Sequence, residues 1–100
     1  MRLMLALALL TVPAPAAFAQ AAPVPLARFY ELAGDDTRRA SAAEAAIGER
    51  WTDAYAIMLV ELMLFVPPET RRRLLALLER KTGQRFGTDL DRWYEWIWRT

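Results

Sequence analysis

Ala54-Tyr55-Ala56-Ile57-Met58-Leu59-Val60-Glu61-Leu62-Met63-Leu64-Phe65-Val66 is a run of thirteen residues with a single charge, and Pro67-Pro68 follows it directly. As a helix it rises about 20 Å, too little for the roughly 30 Å of a bilayer's hydrocarbon core. A helix that is apolar on every side is one covered by neighbours. The run therefore predicts the central helix of a small helical domain, with Leu59 and Leu62 in the core. Thr52 is placed to cap it and Asp53 to sit in its first turn.

The chain on either side fits that frame. Pro68 suits the first turn of a following helix, and Glu69 stands four residues before Arg73, the spacing of a favourable pair. Leu74, Leu75, Leu77 and Leu78 form an apolar arc of roughly 160°. Arg80 and Lys81 occupy the last turn before Gly83, a C-terminal cap. Upstream, Asp36 is a helix cap, and Ala40, Ala43, Ile47 and Trp51 recur on one helical face. Leu26 to Ala33 makes two further turns between Pro25 and Gly34. Downstream, Gly83 to Gly87 is a turn plugged by Phe86, and Thr88 with Asp91 reads as a capping box. The last helix carries Leu90, Trp93, Tyr94, Trp96, Ile97 and Trp98, and no cap precedes Thr100. No stretch alternates like a strand. The fold class is all-α: four or five short helices joined by short turns.

The N-terminus has a different composition. Arg2 precedes an apolar stretch from Leu3 to Val12, Pro13 and Pro15 break it, and Ala17-Phe18-Ala19 is a small-x-small site before Gln20. This pattern predicts a cleavable signal peptide over residues 1–19, hence an exported protein, periplasmic or secreted. Residues 20–25, with Pro23 and Pro25, read as a linker. The helical domain covers 26–100, and a domain cut short at its C-terminal end is one reading of the uncapped last helix. Loss of Arg2 with the leader lowers the 13 basic side chains to 12, against 12 acidic ones. A neutral domain gives no general electrostatic case for nucleic acid. The chain has no cysteine, so the fold relies on its core rather than on disulfides.

Histidine is absent too. The usual base near neutral pH, the common thiol and hydroxyl nucleophile systems and the commonest zinc ligands are therefore missing. Asp35-Asp36 and Asp89 with Asp91 are the carboxylate pairs, and each has a simpler role at a helix start. The sequence thus predicts no catalytic residues, no cofactor and no metal site. Two groups remain as candidate partner-binding residues. Arg72, Arg73 and Arg80 belong to the one basic cluster, and they fall opposite the leucines on the helical wheel, which also makes them an ordinary solvated face. Trp96 and Trp98 flank an apolar arc about 200° wide on the last helix, roughly twice what one packing surface covers. At least one of the two is expected to stay exposed.

Several stretches resemble a helical segment found in exported bacterial proteins ahead of a larger domain known as domain of unknown function 3179. They are Trp51-Thr52-Asp53-Ala54-Tyr55, Leu59-Val60-Glu61-Leu62, and the block Thr82-Gly83-Gln84-Arg85-Phe86-Gly87 followed by Asp89, Trp93 and Trp96. The last block also resembles the ends of HEAT-like repeats. The resemblance spans about two-thirds of the chain and implies a helix-pair array, a HEAT-like or α-solenoid fragment, and no activity. The function expected is an exported scaffold or protein-interaction module without catalysis of its own. The alternative is an accessory N-terminal domain of a longer enzyme or binding protein. Either way a protein partner or a further C-terminal domain is implied, and no stable membrane span after signal cleavage.

Overall fold

A computed structural model describes residues 22–99; the expected signal peptide, 1–19, lies outside them. The described residues form five α-helices: α1 (Leu26–Ala33), α2 (Thr37–Glu49), α3 (Ala56–Leu62), α4 (Pro68–Thr82) and α5 (Leu90–Arg99). A 3-10 turn, Asp53–Tyr55, leads into α3, and no strand occurs among them. Helix α1 packs on α2, and α4 and α5 both pack on α3. Contacts of α1 with α3 and of α2 with α4 join the pairs. The continuous core runs through Phe29, Leu32, Ile47, Leu59, Val60, Leu74, Leu77, Leu78 and Trp93.

The local signals that end helices are mostly where the sequence places them. The Asp36 carboxylate accepts the backbone N–H groups of Arg38 and Arg39, each at 3.1 Å. Gly83 closes α4 with φ of 75°, a left-handed conformation that costs glycine little. Two caps differ. Thr52 offers its carbonyl to the Tyr55 N–H at 2.9 Å, and its side chain makes no cap bond. At α5 the capping side chain is Asp89, one residue beyond Thr88, and it accepts the Arg92 N–H at 3.3 Å.

Helix α3 is central but shorter than the apolar run. It ends at Leu62, and residues 63–66 turn away through 3-10-type bonds from Leu64 N–H to Glu61 O and from Phe65 N–H to Leu62 O. The cause is Pro68, whose ring drives the preceding residue into extended backbone; Pro67 has φ −64° and ψ 161°. Met63 and Val66 stay buried, while Leu64 and Phe65 point outward, 52% and 83% exposed. Leu62 itself is only half-buried.

A turn after a helix leaves carbonyls without intrahelical partners. Arg71 supplies them: its Nε donates to Met63 O at 3.0 Å and its Nη2 to Val66 O at 3.2 Å. Replacing Arg71 with alanine is expected to cost about 1.5–3 kcal/mol, the range for hydrogen bonds from a charged group. Lysine, a single point donor, should recover only part of it. Urea denaturation followed by circular dichroism measures this, and an unchanged midpoint for Arg71→Ala would contradict the assignment.

The segment before α1 is tied in as well. Val24 is buried, and its N–H donates to the Tyr55 hydroxyl at 2.9 Å. The Tyr55 ring meets Phe29 edge-on at 5.2 Å and Trp51 at 6.1 Å.

Candidate interaction surface

The residues from Thr82 to Trp98 lock into one unit. Thr82 Oγ1 donates to Leu78 O at 2.7 Å and accepts the Gln84 N–H at 3.2 Å, which fixes the start of the turn. The Glu79 carboxylate accepts the Gly87 N–H at 3.4 Å. Trp93 is fully buried, and its indole N–H donates to Gly87 O at 2.8 Å. Phe86 meets Trp93 edge to face at 4.9 Å, and Trp96 meets the same ring at 6.3 Å. The Arg92 guanidinium lies over the Phe86 ring at 5.4 Å. Phe86 thus fills the space beneath α5, as its place in the turn suggested.

With Trp93 filling the inner face of α5, the two flanking indoles differ. Trp96 is half-buried and lines a shallow cleft of about 210 Å³ with Gln84, Phe86 and Arg92. Trp98, at the end of the helix, is 83% exposed. Helix α1 does not cover that flank. Its Phe29 packs on Tyr55 instead, and its Tyr30 is exposed.

The arginines separate into different roles, because consecutive helical residues point about 100° apart. Arg71 is spent on the turn above. Arg72 is exposed, and Arg73 Nη2 reaches Glu44 Oε1 on α2 at 3.8 Å, a partly exposed pair of small energetic weight. Both line a cleft of about 680 Å³ with Asp35 and Thr37 at the start of α2 and with Pro67 and Glu69. Arg80 lines another, of about 380 Å³, with Ser41, Glu44, Gly48 and Lys81. There α2 and α4 approach closely: a Cβ on Gly48 would lie 3.3 Å from Lys81 Cε. The arginine candidates and Trp96 therefore line separate clefts, and Asp35, Glu44 and Glu69 interrupt the basic surface. Arg72 and Arg80 are both exposed.

Of the carboxylates, Asp36 and Asp89 cap helices. Among the described residues no group of three or more acidic side chains is placed to hold a metal, and no helix is long and apolar enough to cross a membrane. The sequence reading missed the exposed pair Leu64-Phe65; the Pro67-Pro68 doublet was the available signal. No protein-family model, curated protein or solved structure matches the chain.

Proposed function

We propose that this chain is an exported helical protein-interaction module with no catalytic function of its own. The carrying observation is Trp98, an indole 83% exposed on a helix whose inward face is already filled by the buried Trp93. Burying an indole in a partner is worth far more than leaving it in water, and tryptophan is among the residues that dominate binding energy at interfaces. The export part of the reading is supported by the apolar leader and the Ala17-Phe18-Ala19 site. The HEAT-like, helix-pair part is supported by two joined pairs, α1 with α2 and α3 with α4, and by the interlocked block from Thr82 to Trp96. In this reading Trp98 carries partner binding, Trp96 adds a contact on the other flank of α5, and Arg72, Arg73 and Arg80 contribute little.

A photo-crosslinking phenylalanine analogue at position 98, introduced in the exporting cell, tests the reading. A control goes at Ala76, an exposed position on α4. The expected result is a discrete crosslinked protein at 98 and none at 76, together with a mature chain that begins at Gln20. Equal labelling at both sites would remove the interaction reading, and an intact leader on the recovered chain would remove export.

A further inference from the structure

Helix α5 packs chiefly on α3, and its outer face is left open. Asp91, Arg92, Glu95, Trp98 and Arg99 are all exposed there. At about 100° per residue the outer face divides into two stripes. Asp91, Glu95 and Trp98, spaced i, i+4 and i+7, form an acidic one. Arg92, Trp96 and Arg99, at the same spacing, form a basic one. Their centres lie about 100° apart around the helix, and each stripe holds one indole. The basic stripe also walls the cleft of about 210 Å³, together with Gln84, Phe86 and Glu95. Asp91, Glu95 and Arg99 take no part in the ion pairs among the described residues.

We infer that this face pairs with the same face of a second copy of the chain, about a two-fold axis parallel to α5, so that each acidic stripe lies along the other's basic stripe and each Trp98 meets the other's cleft. The inference rests on the reading of Trp98 as a binding residue and names its partner.

The charges select both the occupant and the orientation. A two-fold contact sets a patch against its own duplicate. An axis across the helices would make them antiparallel and put each stripe against its like. An axis along them makes them parallel and exchanges the stripes, acid against base. Opposite charges favour the second arrangement and like charges penalise the first. In the parallel pair Trp98 stands within about 3 Å, two residues of rise, of the level of the other copy's Trp96 and Arg99. Both line the cleft, and an aromatic wall with a guanidinium beside it suits an indole. Glu95 and Arg99 lie nearest the seam between the stripes, about 6 Å apart along the axis. Helical side chains tilt toward the N-terminus, so Arg99 of one copy leans back to the level of Glu95 of the other, twice by symmetry. An anionic bilayer suits the face less well, because it carries two acids with its two bases. The pair is expected to be weak: two indoles at about 150–250 Å² each, with their flanking charges, stay in the range of transient contacts.

Sedimentation equilibrium of the purified chain from micromolar to millimolar concentration tests the inference. The expected result is a mass that climbs from one chain toward two. Glu95→Lys and Arg99→Glu should each weaken the association at least about tenfold. An equimolar mixture of the two variants should pair again, because the reversed position 95 of one then meets the reversed position 99 of the other. Both residues are exposed, so each variant should melt close to the parent, and recovery in the mixture excludes a loss of fold. A parent that is monomeric at every concentration overturns the inference. So does pairing that survives both reversals, or a mixture that stays monomeric. A crosslink from position 98 to a different protein, with the purified chain monomeric throughout, overturns this inference and leaves the interaction reading standing.

Discussion

Trp93→Ala is expected to cost about 3–5 kcal/mol, the range for truncating a buried tryptophan. Domains of this size hold only about 0.05–0.15 kcal/mol per residue, so the loss takes a large share of the stability and the variant should melt well below the parent. The indole is fully buried, touches Phe86 and Trp96 edge to face, and bonds to Gly87 O. Its loss therefore opens a cavity and also strands a carbonyl in the turn. Trp93→Phe separates these effects: it keeps an aromatic ring in the core and loses the bond, and should cost much less. A cooperative thermal transition in Trp93→Ala at the parent's temperature would show that α5 is not integral to the core.

Leu59→Ala is the second large effect, expected at about 2–5 kcal/mol. Leu59 is fully buried on α3, the helix that meets α1, α4 and α5. The same change at Leu62, half-buried at the end of that helix, removes less contact and should cost clearly less. Paired denaturation curves decide the order. Equal losses at both positions would mean that α3 runs on past Leu62 into the core.

That contrast marks where sequence reasoning reaches its limit. Signals carried by one residue and its immediate neighbours were legible: Asp36 as a cap, Pro68 in a first turn, Gly83 as a left-handed terminus, and leucine spacing on α4. The all-helical class followed from them. The width of the apolar arc on α5 also anticipated an exposed flank tryptophan, and Trp98 is that residue. The run from Ala54 to Val66 misled because hydrophobicity was taken to mean burial along its whole length. The proline pair sets a geometric demand four residues upstream, and it turns Leu64 and Phe65 outward. Arg71 was unreadable for a related reason. In sequence it is one of three adjacent arginines, and only the folded turn brings carbonyls within its reach.

The hydrogen bond between Val24 and Tyr55 bears on the order in which the chain assembles. It joins residues 31 apart in sequence. By contrast, the bonds that fasten the C-terminal half, Arg71 to Met63 and Val66, Gly87 to Glu79 and Trp93 to Gly87, span eight residues or fewer. Closing a short loop takes only about 10–100 ns, and folds rich in near-neighbour contacts form fast. The turns between residues 63 and 93 can thus organise from nearby pieces, whereas the segment around Val24 must wait for Tyr55 to be in place. The segment around Val24 is then late to settle and early to come loose, so amide exchange at Val24 would register partial opening well before global unfolding.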